Sequence, residues 1–78
     1  LSDKILLYPN PSKGIINIKS IENINQIEIY SVLGKLIYSE KGLSNLNEHS
    51  IILSNNGLYY VTIYTENGVL TEKITIQK

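Results

Sequence analysis

Apolar and polar residues alternate along most of this chain, in runs that are short. Ile16 and Ile18 alternate with polar neighbours in one run, and Ile74 and Ile76 do so in another. An apolar residue at every second position is typical of a strand with one buried face, and no segment keeps a helical period over ten residues. The pattern predicts about seven short strands, at residues 4–8, 14–20, 24–31, 35–40, 49–53, 58–65 and 70–77.

Proline, glycine and asparagine mark the ends of these runs. Pro9 and Pro11 stop the first run, and Gly34 and Gly57 precede two later ones. The pair Asn67-Gly68 between two alternating runs is the strongest short-range signal for a β-hairpin. Because these residue types fix turn geometry, the pattern predicts an order of strands rather than a catalytic centre.

Short strands with turn signals roughly every 8–12 residues favour two antiparallel sheets packed face to face. We expect an all-β fold, an immunoglobulin-like antiparallel β-sandwich, in which residues 1–78 form one domain because a chain of this length supports one core. The residues expected to face inward are Leu6, Ile16, Ile18, Ile27, Ile29, Tyr59, Val61, Ile63, Ile74 and Ile76.

Composition removes several classes of function. The chain has no Cys, so it has neither disulfides nor thiolate metal sites. Seven Lys balance seven acidic residues and Arg is absent, so the basic footprint of a nucleic-acid-binding protein is missing. No apolar run approaches the roughly 18 residues of a membrane span. Leu1 stands where an initiator Met is expected, which predicts that the chain is a piece of a longer protein.

Residues that carry catalysis are scarce and scattered. His49 is the only histidine, and its polar neighbours favour an exposed or edge-strand side chain over a catalytic one. Asp3, the only Asp, lies near a terminus, which disfavours a Ser-His-Asp arrangement. The glutamates stand singly, without the pairing that glycoside hydrolysis needs. We expect no enzymatic activity, no catalytic residue, no metal site and no cofactor.

A strip of hydroxyl-bearing residues suggests one alternative. Tyr60, Thr62 and Tyr64 share the face opposite the predicted core and form a platform on which sugar rings can stack. Tyrosines also fit a pleated sheet for purely structural reasons. The alternative function is therefore an accessory carbohydrate-binding module, with a polysaccharide partner, or a spacer β-sandwich of a secreted hydrolase or adhesin.

Three blocks of residues, taken together, resemble a known family. They are Tyr8-Pro9-Asn10-Pro11 with Gly14, then Ile29-Tyr30 with Gly34-Lys35, and then Gly57-Leu58-Tyr59 with Lys73-Ile74-Thr75-Ile76 and Lys78. Each block alone is only a turn followed by a strand. In this order and spacing they resemble the type A C-terminal sorting domain of proteins exported by the type IX secretion system.

The resemblance implies a non-catalytic secretion signal at the end of a larger cargo protein. Such cargo folds in the periplasm, is recognised by the outer-membrane translocon and shuttle components, and becomes secreted or cell-surface. A cysteine-type sortase then removes the domain. The recognition residues implied are Pro9, Asn10, Pro11, Gly14, Gly34, Lys35, Gly57, Tyr59, Lys73, Ile74 and Lys78.

The strand that ends the chain has two expected ways of meeting a partner. Residues 73–78 either present Lys and Thr side chains outward or add as an edge strand to a partner sheet. The sequence leaves open the cargo, the cleavage site, release against anchoring to lipopolysaccharide, the docking face and the oligomeric state.

Overall fold

The computed structural model describes residues 4–41 and 46–78, with the side chain of Leu46 excepted. Asp3 and residues 42–45, between the predicted strands 35–40 and 49–53, lie outside this part. The expected all-β class is confirmed. The strands are β1 (Ile5–Tyr8), β2 (Ile15–Ser31), β3 (Leu36–Glu40), β4 (Leu46–Ile52), β5 (Gly57–Thr65) and β6 (Gly68–Ile76). Within the described residues, no helix is long and apolar enough to cross a membrane.

The predicted second and third strands form one long strand, β2, so the described residues contain six strands and not seven. Residues 21–23 lack a Gly or Pro that would end the strand. The strand continues instead, with a register shift against β4 between Lys19 and Ile24. In this stretch the Ser20 hydroxyl donates to the Glu22 carbonyl at 2.6 Å and accepts from the Glu22 amide at 3.0 Å, so a side chain bonds locally to the backbone.

All strand pairs are antiparallel, and β2 is common to four of them. Its first half pairs with β1 and β4, its second half pairs with β3 and β5, and β6 pairs with β5. The sheet curls so that the two halves enclose one hydrophobic core. The curled antiparallel sheet is compatible with a sandwich, and the immunoglobulin-like strand arrangement stays a prediction.

Nine of the ten expected core residues are buried, and Leu6 is the error. Leu6 is 53% exposed, while its neighbours Ile5 and Leu7 are buried. The run is apolar at three consecutive positions, so alternation does not tell which face points inward. Pairing decides it, because Leu7 lies opposite the buried Ile18 on β2.

The core also contains residues that the pattern missed. A register shift between Ile24 and Gln26 places an extra residue in β2. Such a bulge moves the following side chains to the other face, so Ile24 and Ile27 both point inward although they are three positions apart, an odd step that would otherwise place them on opposite faces. The remaining buried apolar residues outside the prediction are Ile51 and Leu53.

Candidate docking site

The three sequence blocks meet at one end of the sheet. Gly57, the first residue of β5, lies opposite Ile76 of β6, and Ser31, the last residue of β2, lies opposite Tyr59. Ser12 forms an isolated bridge with Ile76, which brings the proline-rich segment to the same place. We call this region the motif end, defined as residues 9–14, 31–35, 54–57 and 73–78. It contains ten of the eleven predicted recognition residues. The eleventh, Tyr59, lies on β5 two positions beyond Gly57 and therefore outside these ranges.

Asn10 joins the first block to the third. Its side-chain amide donates to the Lys73 carbonyl at 3.2 Å, and its side-chain oxygen accepts from the Thr75 amide at 3.1 Å. The side chain therefore replaces a peptide group of a neighbouring strand along β6. The flanking prolines have no amide hydrogen to offer, and both peptide bonds that precede them are cis.

Ser12 continues this contact and is almost wholly buried. Its amide donates to the Thr75 carbonyl at 2.8 Å, and its carbonyl accepts from the Gln77 amide at 2.7 Å. Its hydroxyl donates to the Ile15 carbonyl at 2.5 Å and accepts from the Gly14 amide at 3.1 Å. Sequence reasoning missed Ser12, although a Ser after Pro is a common turn former.

The edge of β6 beside Asn10 and Ser12 is consequently occupied. The Lys73 carbonyl, both backbone groups of Thr75 and the Gln77 amide already have partners in the first block. Addition of residues 73–77 to a partner sheet along this edge needs these same groups. The expected edge addition is therefore wrong for this segment, and outward presentation of side chains remains.

Gly14 stands where no other residue fits without strain. Its φ is +129°, a conformation that L side chains rarely adopt. A Cβ there would lie 3.3 Å from both the Leu53 carbonyl oxygen and Lys78 Cε. The Gly14 carbonyl also accepts from the Leu53 amide at 2.8 Å, so the close approach is part of the fold.

The second block forms a turn that is tied to β5. The Ser31 amide donates to the Lys35 carbonyl at 2.8 Å, and the Val32 amide donates to the Leu58 carbonyl at 3.1 Å. Gly34 has a φ of +91° with nothing near its Cβ position, so backbone conformation alone explains the glycine. Leu33, at the tip, is 93% exposed.

The third block is mostly internal. Tyr59 is buried, and its hydroxyl donates to the Asn55 carbonyl at 2.8 Å. Its ring passes 3.7 Å from the position that a Cβ on Gly57 would take. Ile74 is 1% exposed and belongs to the core. The fold itself therefore accounts for these three residues.

Lysines form the exposed charge of the motif end. Lys13, Lys35, Lys73 and Lys78 are exposed, and the segments that define this end contain no acidic residue. Lys78 is the most constrained, because its ammonium group donates to the Ser54 carbonyl and its amide donates to Asn56 Oδ1 at 3.0 Å. Lys13 was missed from the sequence because it stands outside the quoted family residues.

His49, the candidate catalytic histidine, lies elsewhere. It is on β4, which pairs only with β2 among the described strands, and its Nε2 lies 3.0 Å from the Tyr38 hydroxyl and 3.5 Å from Glu40 Oε1. Burial and the neighbouring Glu40 raise the pKa of Tyr38 to about 12. Across residues 4–41 and 46–78, no three His, Cys, Asp or Glu residues are placed to hold a metal ion.

The tyrosine strip lies on the outer face of β5, as its spacing predicts. Tyr60 is 38% exposed, and Thr62 lies within hydrogen-bonding distance of Thr71 on β6. The Tyr64 hydroxyl donates to Glu28 at 2.8 Å, and this bond with burial raises the pKa of Tyr64. Neighbouring side chains thus already occupy two of the three hydroxyls.

Comparison with known proteins agrees with the position of the three blocks. The family model for the secretion system C-terminal sorting domain matches residues 6–77. A search of curated proteins found no match to the chain. The family match supports the sorting function and does not favour the carbohydrate-binding or spacer alternative. The chain belongs to the secretion system C-terminal sorting domain family, and it is a sorting signal that directs a secreted or cell-surface cargo through the type IX system.

Proposed function

We propose that the folded domain is recognised through its motif end by the outer-membrane translocon and shuttle components of the type IX system. The observation that carries this proposal is the meeting of three separate sequence blocks at one end of the fold. Asn10 contacts residues that lie 63 and 65 positions away in the chain. An unfolded chain does not hold such residues together, so the shared surface exists only after folding.

The predicted recognition residues divide into two groups by what explains them. Backbone conformation, close approach or core packing explains Gly14, Gly34, Gly57, Tyr59 and Ile74. The second group is exposed and available to a partner, and it consists of Pro9, Asn10, Pro11, Lys35, Lys73 and Lys78. The first group holds the second in place, and a surface formed in advance binds without the entropy cost of ordering it.

The same reasoning supports the rest of the route. A domain that is recognised when folded must fold before it meets the outer membrane, so we place folding of the cargo in the periplasm. The sorting-domain family is non-catalytic, and we propose no enzymatic role for this chain. Removal of the domain after export then requires a separate enzyme, for which the cysteine-type sortase is our proposal.

Three strains test this route with one reporter. The reporter carries an N-terminal signal peptide and this chain at its C-terminus, and it is expressed in an intact strain, a strain without the translocon and a strain without the sortase. In the intact strain we expect the reporter outside the cells, with its sorting domain removed. The strain without the translocon should retain a periplasmic reporter whose domain resists proteolysis. The strain without the sortase should yield reporter that keeps the domain.

Two results would contradict the route. Export that is unchanged without the translocon would remove the type IX system from the pathway. A periplasmic reporter whose sorting domain is digested as rapidly as a core-disrupted Ile74→Ala variant would show that the machinery meets an unfolded chain.

A further inference from the structure

The neutral net charge of this chain conceals a separation of charge along its length. The motif end carries four lysines and no acidic residue. The other described residues carry the reverse balance, three lysines against six glutamates. These are Lys4, Lys19 and Lys41, with Glu22, Glu28, Glu40, Glu48, Glu66 and Glu72. The two regions therefore have opposite sign, at about +4 and −3.

Two of the three lysines outside the motif end are paired with carboxylates. Lys4 pairs with Glu22 at 3.5 Å and Lys19 pairs with Glu48 at 3.8 Å. By contrast, the four lysines of the motif end have no carboxylate within ion-pair distance in the described part of the chain. Their fields add at one end of the molecule, where they favour a negatively charged partner.

A concave apolar surface borders the motif end, and Lys13 is the one of its four lysines that lines it. Pro9, Pro11, Ile15 and Asn17 line it together with Lys13, and its volume is about 430 Å³. Ile15 is 52% exposed, and its cross-strand partner Ile52 is 75% exposed, so apolar surface continues across β2 and β4. An apolar centre with a polar, charged rim is the usual arrangement of a protein–protein interface.

We propose that the motif end docks onto an acidic protein surface of the export machinery, which inserts an apolar side chain into the groove at Pro9 and Pro11. This inference rests on the proposed function and names the chemistry of the partner. A protruding side chain fills a concave floor, whereas a flat layer of anionic lipid headgroups does not. For this reason we choose a protein partner over lipopolysaccharide, although both are negatively charged.

The size of the end predicts a transient contact. The molecule measures 31 × 22 × 19 Å, and a nine-residue strand is about as long as the largest of these dimensions. A face at the end of the strands is therefore small, at 22 × 19 Å, which suits a transient contact better than a large permanent interface. Electrostatic attraction raises the association rate of such contacts more than it raises their lifetime.

Paired charge reversals test the proposal against purified outer-membrane translocon. The test variant is Lys35→Glu with Lys73→Glu, and the matched control is Lys19→Glu with Lys41→Glu. Both alter two exposed lysines and change the net charge equally. At about 0.05 M salt we expect the test variant to associate roughly tenfold or more slowly than the wild type, with the control changed less than threefold. The difference should shrink near 0.5 M salt as screening increases.

A variant with two neutral substitutions, Lys35→Gln with Lys73→Gln, keeps the test informative if the charge-reversed variant does not fold. It should show an intermediate association rate with an unchanged melting temperature. Equal slowing by test and control would overturn the proposal, because net charge alone would then suffice. Unchanged association of both charge-reversed variants would also overturn it.

Vesicles that contain lipopolysaccharide test the alternative that the negatively charged partner is a lipid and not a protein. Binding of the wild type to the translocon but not to the vesicles supports the proposal, and binding to the vesicles alone overturns it. A failure of the proposed function would look different. In that case the wild-type reporter would be exported even from cells that lack the translocon. Export of the wild type and the charge-reversed reporter at equal rates would contradict only the charge inference.

Discussion

The two ends of the β5–β6 pair both rely on an asparagine, with different chemistry. We define the hairpin end as residues 20–22 and 65–69. Its two segments are held together by hydrogen bonding to a carboxylate. Asn67 donates to Glu22 at 2.5 Å, and Lys4 lies 3.5 Å from the same side chain. At the motif end Asn10 bonds only to neutral backbone groups of β6.

This difference shows which charges each end leaves for a partner. The hairpin end satisfies its carboxylate within the molecule, so its polar contacts serve the fold. The motif end is held by buried apolar side chains and mostly neutral hydrogen bonds. The Lys78 ammonium group bonds to the Ser54 carbonyl, whereas Lys13, Lys35 and Lys73 form no ion pair with the described residues. Substitutions should therefore separate stability from docking at the motif end, and pH should affect chiefly the hairpin end.

The largest effect should come from Ile74, which lies between the exposed Lys73 and the half-buried Thr75. Ile74 is 1% exposed, so Ile74→Ala should lower the free energy of unfolding by about 2–5 kcal/mol. Val69→Ala on the same strand, at a 62% exposed position, should change it by less than about 0.5 kcal/mol. Urea unfolding measures both. Similar values for the two variants would mean that the third block is not held by the core.

A smaller loss is expected at Gly14. Gly14→Ala places a Cβ 3.3 Å from a backbone oxygen at a φ of +129°, which should cost about 1–3 kcal/mol. Lys13→Ala, at the exposed neighbouring position, is the control and should leave stability within about 0.5 kcal/mol. Thermal melts compare them, and an alanine tolerated at residue 14 would show that this corner relaxes easily.

Asn10 should have an effect of about 1–2 kcal/mol, since Asn10→Ala removes two hydrogen bonds to β6. Hydrogen exchange at the Thr75 amide should become faster, because that amide loses its acceptor. Asn67→Ala, at the hairpin end, should leave exchange at Thr75 unchanged. If both variants change hydrogen exchange at the Thr75 amide equally, the stabilising effect of Asn10 is not local to the motif end.

The smallest effect concerns acid. The hydrogen bond from Asn67 and the nearby Lys4 ammonium hold the pKa of Glu22 below its ordinary value of 4.5. The ionised form is favoured in the folded state, so its contribution is present above pH 4.5 and is lost as pH falls through the lower folded pKa. Glu22→Gln should therefore lose less stability than the wild type as pH falls below 4.5. Asn10→Ala should keep the wild-type slope, and a reduced slope would contradict the assignment.

Sequence patterns identified the core well where alternation was clean. Ile74 and Ile76 were placed correctly because each has polar neighbours, whereas Leu6 was misplaced inside an unbroken apolar run. The joined strand β2 was missed because the pattern breaks at residues 21–23, where the pairing shifts register without a glycine or proline to end the strand. Alternation reports local environment, and it contains no information on which strands meet.

The candidate site was predictable as a set of residues but not as a surface. Family resemblance named Asn10 and Lys73, but no local rule predicts that the Asn10 side chain bonds to β6. Ser12 and Lys13 were missed for the same reason, since their importance depends on which segments the fold brings together. The separation of charge likewise becomes visible only when the strands are placed.

Steric blocking of one end tests the central claim most directly, that the motif end is the docking end. The chain has no Cys, so Leu33→Cys and Val69→Cys each provide a single, exposed attachment site for a bulky maleimide. Leu33 lies on the turn of the motif end, and Val69 lies at the start of β6 in the hairpin end. Both labelled proteins are checked for unchanged melting temperature, and their binding to purified translocon is measured. The account predicts that the label at residue 33 abolishes binding and the label at residue 69 leaves it intact. The account would be contradicted if the label at residue 69 abolished binding to the translocon and the label at residue 33 left it intact.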